Sequence, residues 1–306
     1  MPLPPLRSPS APFVKLLAIA RGLPAAVFLF TTLIAVNLLQ AASLLIAGFS
    51  RSAFRRFNRW CANTWWGWGV SLARLLYRYR LRVTGSDVPL AENAIIVANH
   101  QNMPDITTLM AFARSKRRLG DLKWFVKDPI KYVPGVGWGM LFIGCLFVKR
   151  DWTADQTRVM NTFRHIREQR IPIWLMLFAE GTRVTQKKLE ASRKYALSRG
   201  LRPLDHLLVP RTKGFASSVQ GLRGHVTAVY DLTIGYVTGV PTIWQHILGY
   251  ARVVHIHVRR TPIESLPDDE PSLSNWLIAR FREKDLLLDE FYRTGAFPET
   301  EIRKPE

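Results

Sequence analysis

Acidic residues and cysteines are scarce in this chain of 306 residues. With 23 Asp and Glu against 43 Lys and Arg, the formal net charge is +20, which points to an anionic partner: nucleic acid, acidic lipid or a phosphorylated substrate. The 2 cysteines, Cys61 and Cys145, are too few for a disulfide framework and lack metal-ligand spacing. They read as packing residues, no metal site is expected, and a reducing compartment is permitted rather than required. There is no zinc-finger spacing, no RNP-like aromatic motif and no long basic heptad helix, so nucleic acid is not the expected partner. A Gly-x-Ser-x-Gly nucleophile turn is also missing, which disfavours a lipid hydrolase. Internal repeats and low-complexity tracts are absent too.

Charge is missing locally as well. Residues 23–49, reading LPAAVFLFTTLIAVNLLQAASLLIAGF, carry none, and the run exceeds the roughly 20 residues that a membrane-spanning helix needs. It is too long for the core of a signal peptide, about 7–15 residues. After it come Arg51, Arg55, Arg56 and Arg59, then Trp60, Trp65, Trp66 and Trp68, then Arg74, Arg78, Arg80 and Arg82. Arginine with tryptophan suits a helix at the lipid headgroups; the alternative is that these tryptophans belong to a protein core. Only Arg7, Lys15 and Arg21 precede the run, so the positive-inside bias puts the chain after Phe49 in the cytoplasm, at the inner membrane if the cell is bacterial. A hairpin dipping into one leaflet is the competing arrangement. Residues 1–82 are expected to form a membrane anchor with interfacial helices in contact with membrane lipids, and residues 83–306 a single larger domain.

Between residues 81 and 261 short apolar runs alternate with helix-compatible segments, predicting an α/β fold. Candidate strands are 94–98, 124–126, 141–148, 173–178, 207–210, 227–236 and 253–258; candidate helices are 106–113, 154–168 and 187–198. Residues 129–139, with Pro134, Gly135, Gly137 and Gly139, are predicted to be loop-rich, and the acidic, proline-bearing stretch 262–271 a surface connection. Beyond it Leu273, Trp276, Leu277, Phe281, Leu288 and Phe291 recur at helical spacing, predicting an amphipathic closing helix packed on the domain.

The stretch with most chemistry in it is Asn99-His100-Gln101-Asn102-Met103-Pro104-Asp105. The apolar run before it reads as a buried strand with His100 at its C-terminal edge. Pro104 suits the first position of a helix, so Asp105 falls in an opening turn. A strand-end histidine and a first-turn aspartate can face each other across a tight loop. A carboxylate on one imidazole nitrogen would set the tautomer and make the other nitrogen a base. Taken alone, Asp105 equally complements a helix N-terminus.

Three further blocks follow. Gly144-Cys145-Leu146-Phe147-Val148-Lys149-Arg150 is strand-like and ends in two cations, for which plain solvation is the equal alternative. Glu180-Gly181-Thr182-Arg183 follows a candidate strand directly and suits a phosphate. Arg183 offers a planar fork, Thr182 a hydroxyl and Gly181 a close backbone approach, while Glu180 could hold the arginine; a salt-bridged turn is the plainer reading. Val209-Pro210-Arg211-Thr212-Lys213-Gly214 again reads as strand, breaker, cation and glycine. The basic segment Lys187, Lys188, Arg193, Lys194, Arg199 and Arg202 is a solvated helix face or a second contact for phosphates.

Together and in this order, the four blocks resemble those of the glycerolipid acyltransferase family typified by 1-acyl-glycerol-3-phosphate acyltransferase. The resemblance covers about Asn99 to Phe215. It implies an α/β fold of the glycerol-3-phosphate acyltransferase type: a mixed, mostly parallel central sheet flanked by helices, behind an N-terminal membrane-associated helical segment. By resemblance, His100 and Asp105 are the catalytic pair, and Arg150, Glu180, Gly181, Thr182 and Arg183 bind the acceptor phosphate. Asn99, Gly144, Pro210 and Lys213 have supporting places. The implied reaction moves an acyl group from acyl-CoA or acyl-carrier protein, without a cofactor, to the sn-2 hydroxyl of a lysophospholipid. Two departures bear on the acceptor: Asn102 stands where the family often has Ser, and Ala179 where it often has Pro. The Arg-Thr-Lys-Gly after Pro210 resembles a subgroup that includes lysocardiolipin-type enzymes. Lysophosphatidic acid is the first expectation for the acceptor, with lysophosphatidylglycerol and lysocardiolipin as alternatives. A non-catalytic scaffold of the same fold is disfavoured by the intact His100, Asp105, Glu180 and Arg183.

Overall fold

The computed structural model describes residues 5–149 and 152–299. The uncharged run folds into α1 (Pro12–Ala42) and a short α2 (Leu44–Phe49), which together are long and apolar enough to cross a membrane. The basic, tryptophan-rich segment is α3 (Arg51–Tyr77). Helix α1 stops at Ser43, whose hydroxyl donates back to the Gln40 carbonyl at 2.6 Å and accepts from Asn58 Nδ2 at 3.0 Å. Ser50, in extended conformation, caps α3 by accepting from the Ala53 N–H at 3.2 Å. The chain then returns along α1, and Trp65 Nε1 donates to the Leu29 carbonyl at 3.0 Å.

The tryptophan segment divides between two faces of α3. Ala62, Trp66 and Val70 enter the core under the sheet, while Trp60 and Trp68 are exposed. Arg59 grips Asp121 with two bonds of 2.5 and 2.9 Å, and Arg114 donates to the Gly67 carbonyl at 2.8 Å, so α3 is docked on the following domain. The expected boundary at residues 82 and 83 falls inside the first strand, β1 (Arg80–Gly85).

After β1 come β2 (Ala94–Ala98), α4 (Pro104–Ser115), β3 (Leu122–Lys127), α5 (Val136–Phe142), β4 (Leu146–Val148), α6 (Trp152–Glu168) and β5 (Trp174–Phe178). Then follow α7 (Gln186–Ser198), α8 (Thr212–Leu222), β6 (Ala228–Gly235), α9 (Ile243–Ile247), β7 (Val253–Pro262) and α10 (Glu270–Thr294). Among the described residues the strands make one seven-stranded sheet in the order β1-β7-β6-β2-β5-β3-β4. Every pair is parallel except β6 with β7. The C-terminal ends of β2, β5, β6, β3 and β4 therefore share one edge, where open α/β sheets gather their ligand sites.

Alternation along the central strands serves two cores. Ala94, Ile96 and Ala98 face the layer of α3 and α4, whereas Ile95 and Val97 face α6, α8 and α10. All five are at most 1% exposed, which is why β2 reads as an unbroken apolar run. Leu273, Leu277, Phe281, Leu288 and Phe291 of α10 close the second core, as their spacing predicts.

Three expectations are corrected. Residues 141–148 are not one strand: 136–142 form α5, and only Leu146–Val148 pairs with β3. The stretch 129–139 is correspondingly less loop-like, because a 3-10 turn over Asp128–Tyr132 and the start of α5 occupy it. Residues 207–210 are an extended connector without ladder partners; side chains rather than a neighbouring strand take up its N–H groups.

Candidate active site

The loop from β2 to α4 is tied down at nearly every residue. Asn99 pairs with the Ile234 backbone of β6 as a strand would, donating to its carbonyl at 3.0 Å and accepting from its N–H at 2.7 Å. Gln101 Nε2 reaches the same carbonyl at 2.7 Å and Gln101 Oε1 accepts from the Tyr292 hydroxyl of α10 at 3.2 Å. Pro104 opens α4, and Asp105 in its first turn is fully buried. One carboxylate oxygen, Oδ2, accepts from the N–H groups of Gln101 at 2.6 Å and Asn102 at 2.9 Å and meets His100 Nδ1 at 2.9 Å. The other, Oδ1, accepts from the Tyr236 hydroxyl at 2.6 Å. Burial and the adjacent carboxylate hold the Tyr236 phenol well above its ordinary value, so it stays a donor.

His100 is thereby fixed in one role. An ionised carboxylate can only accept, so Nδ1 carries the proton and Nε2 holds a free lone pair. The imidazole lies face-on against Phe178 at the end of β5, ring centres 4.0 Å apart and 15° from parallel, with Trp124 of β3 stacked behind Phe178. Among the described residues Nε2 has no hydrogen-bond partner, serine and cysteine side chains included. The arrangement can take a proton from a hydroxyl brought to it.

Glu180 does something other than hold Arg183. Its side chain is buried, and its two oxygens accept the N–H groups of His100 at 2.8 Å and Leu208 at 2.9 Å. It stitches the end of β5 to the histidine loop on one side and the 207–210 connector on the other. Burial pushes the Glu180 carboxyl up to about 8, against those two N–H donors and the ammonium of Lys284. The expected Glu180–Arg183 ion pair is absent among the described residues because the carboxylate is turned inward, onto backbone.

The cations lie on the outer side of this turn. Gly181, at φ 70°, takes the left-handed conformation, and the Arg211 side chain lies so close that a Cβ there would meet its Cδ and Nε at 3.0 Å. Arg211 is anchored by its own N–H to the Ala179 carbonyl at 2.7 Å, and its guanidinium is exposed. Thr182 accepts from Lys188 Nζ at 2.7 Å, and Arg183 Nη1 donates to Asn102 Oδ1 at 3.1 Å, bridging the turn to the histidine loop. Lys213 is exposed in the first turn of α8, and Pro210 is buried.

Gly144 has a structural explanation. At φ 73° it ends α5, its N–H donating to Leu141 and that of Cys145 to Met140, which is the Schellman arrangement. Arg150 lies outside the described residues. Spacing could not have shown Tyr236, 131 positions beyond Asp105, or Gln101 as a loop anchor. Arg211 and Lys188 were visible as cations without a place.

A family model described as "Acyltransferase" matches residues 80–237, and one described as "Acyltransferase C-terminus" matches residues 246–306. The class is therefore an acyltransferase enzyme built on a mixed, mostly parallel sheet. The chain is 35% identical over 292 residues to the 1-acyl-sn-glycerol-3-phosphate acyltransferase delta of Homo sapiens, covering 91% of this chain and 75% of that one. It is 32% identical over 295 residues to the probable 1-acyl-sn-glycerol-3-phosphate acyltransferase 5 of Arabidopsis thaliana, covering 95% and 78%. The crystal structure of the 1-acyl-sn-glycerophosphate (LPA) acyltransferase PlsC from Thermotoga maritima aligns with a TM-score of 0.49 at 16% identity, covering 94% of this chain and 100% of that chain. The protein belongs to the 1-acyl-sn-glycerol-3-phosphate acyltransferase family.

Proposed function

We propose that the protein transfers an acyl group from acyl-CoA or acyl-carrier protein to the free sn-2 hydroxyl of 1-acyl-glycerol-3-phosphate, giving phosphatidic acid. The observation that carries this reading is a histidine whose Nδ1 is committed to a buried carboxylate and whose Nε2, among the described residues, is hydrogen-bonded to no serine, cysteine or other side chain. The nucleophile is then the hydroxyl of the acceptor. The names of the relatives supply the acceptor class.

In this mechanism His100 Nε2 takes the hydroxyl proton as the oxygen attacks the thioester carbonyl carbon. Asp105 stabilises the imidazolium that results, and Tyr236 keeps the second carboxylate oxygen occupied so that Oδ2 stays on Nδ1. The tetrahedral intermediate collapses by breaking the C–S bond, and the thiolate leaves with the proton from His100 as a free thiol. Arg183 and Arg211, with Thr182, grip the acceptor phosphate and convert binding into orientation, a large advantage for a two-substrate reaction. Glu180 acts by holding the His100 and Leu208 backbones.

Both acceptor and product are lipids, so the α1–α2 segment holds the protein on a membrane, with the sheet domain on the cytoplasmic side. The test is a transfer assay on purified protein with labelled acyl-CoA and lysophosphatidic acid, lysophosphatidylglycerol or lysocardiolipin. Preferential acylation of lysophosphatidic acid is expected. Thiol release without an acylated lipid, or preference for another acceptor, overturns the proposal.

A further inference from the structure

Helix α5 and the 3-10 turn before it are built outside in. Tyr132, Val133, Val136, Trp138 and Leu141 are all exposed, Tyr132 at 72% and the others at 44–47%. A globular surface facing water seldom groups so many large apolar side chains. The inward side carries Gly135, Gly137 and Gly139 beside Met140 and the buried Ile143. A Cβ at Gly135 would come within 2.9 Å of Leu33 on α1, and one at Gly139 within 3.6 Å of Asn37. Gly137 lies against the turn itself, where a Cβ would fall 1.9 Å from the Ile130 carbonyl oxygen.

Gly135, just before α5, and Gly139 leave room for the Leu33 and Asn37 side chains of α1, and small residues at helix contacts are common where burying side chains gains nothing over lipid. A helix docked on a globular surface in water turns polar residues outward. The exposed face is also continuous with that of α1. Leu33 and Asn37, which α5 touches, alternate along α1 with Phe30, Ile34 and Leu38, exposed by 67%, 36% and 67%. Lys127, with Lys131 paired to Asp128 at 2.8 Å, stands just before the segment, as cations do at a lipid boundary.

We infer that residues 132–142 form a second lipid-inserting element beside α1, its occupant the outer acyl region of a bilayer carrying anionic headgroups. This rests on the membrane location proposed above. The chain leaves α5 through Gly144 into β4, whose end belongs to the edge of the sheet that carries His100 and Glu180. Lipid contact at α5 therefore holds that edge against the surface from which a lipid acceptor arrives.

The test places nitroxide labels on the full-length protein with Cys61→Ala and Cys145→Ala, in phosphatidylcholine vesicles containing phosphatidylglycerol. Labels go at Trp138→Cys and Leu141→Cys, with Phe30→Cys on α1 and Thr157→Cys on α6 as references. If the cysteine-free background does not fold, the native pair, 1% and 9% exposed, stays in place and the unsubstituted protein supplies the label background. Collision with oxygen, which concentrates in lipid, is compared with collision with a water-soluble nickel chelate. The expected result is that labels 138 and 141 follow label 30, losing access to the chelate while gaining it to oxygen. If they follow label 157, or are shielded from both reagents as under a second copy or another protein, the inference is overturned. A water-exposed label 30 would instead overturn the membrane location itself.

Discussion

The histidine loop and the cation turn lie side by side at one sheet edge and are built on opposite plans. In residues 99–105, Asn99, His100, Gln101 and Asp105 each make a hydrogen bond of 3.0 Å or less to another part of the chain, Asn102 accepts one of 3.1 Å from Arg183, and Asp105 alone has four donors. In the turn formed by Gly181, Thr182, Arg183 and Arg211 the cationic groups are exposed, and Arg211 is anchored through its backbone N–H to Ala179. The loop proposed to move a proton must have its geometry set before substrate arrives, and buried, fully satisfied hydrogen bonds do that. Cations proposed to take an arriving phosphate gain from staying hydrated and unpaired, since a prior ion pair would have to be broken first. Glu180 marks the border: a carboxyl at the start of the cation turn, turned inward to serve the rigid side.

The sharpest way to break this contrast is His100→Ala. Transfer should fall by about two to four orders of magnitude, the range for a lost general base, while circular dichroism and membrane binding stay unchanged. Retained transfer would remove the proposed base. Glu180→Gln should act on both fold and rate, because an amide can accept only one of the two N–H groups and faces the other with its own NH2. A loss of about 1–3 kcal/mol in chemical denaturation is expected. The pH dependence has a sign. A carboxyl held near 8 in the folded protein and at 4.5 as its ordinary value contributes stability that is complete below 4.5 and lost as pH rises through 8. Wild-type stability should therefore fall more steeply from pH 5 to 9 than that of Glu180→Gln; parallel curves would refute this.

Tyr236→Phe leaves Asp105 Oδ1 without its donor while keeping the ring. It should lower kcat by roughly tenfold, an unmade hydrogen bond to a charged group being worth about 1.5–3 kcal/mol, with KM nearly constant; a change in KM alone would make Tyr236 a binding residue. The smallest structural effect belongs to the cation turn. Arg183→Ala and Arg211→Ala should each raise KM for the acceptor by about tenfold or more. Their stability should stay within about 0.5 kcal/mol of wild type, as for surface substitutions. A marked drop in melting temperature for either would show that the turn is structural after all.

Local chemistry decided much of what was legible. An unbroken apolar run announced β2, because a strand buried on both faces has no polar side to show, and Pro104 announced the start of α4. The helical spacing of α10 was equally plain. Misreadings fell where one residue type serves two structures. The glycines at 135, 137 and 139 read as loop because glycine usually breaks helices, yet here they let α5 approach α1 and the preceding turn. Residues 207–210 looked like a strand, but their N–H groups are taken by Glu180 and Ser192 side chains.

By itself the sequence determined the α/β class, the order of the four motifs, the apolar N-terminal helix and the facing of His100 and Asp105. Each of these depends on residues near one another in the chain. Only the tertiary structure decided that Tyr236 completes the Asp105 carboxylate, that Glu180 holds backbone rather than Arg183, and that Arg211 leans on Gly181. Those contacts join strands and connectors about 30 to 131 residues apart, and a partner across a sheet leaves no mark on spacing or periodicity.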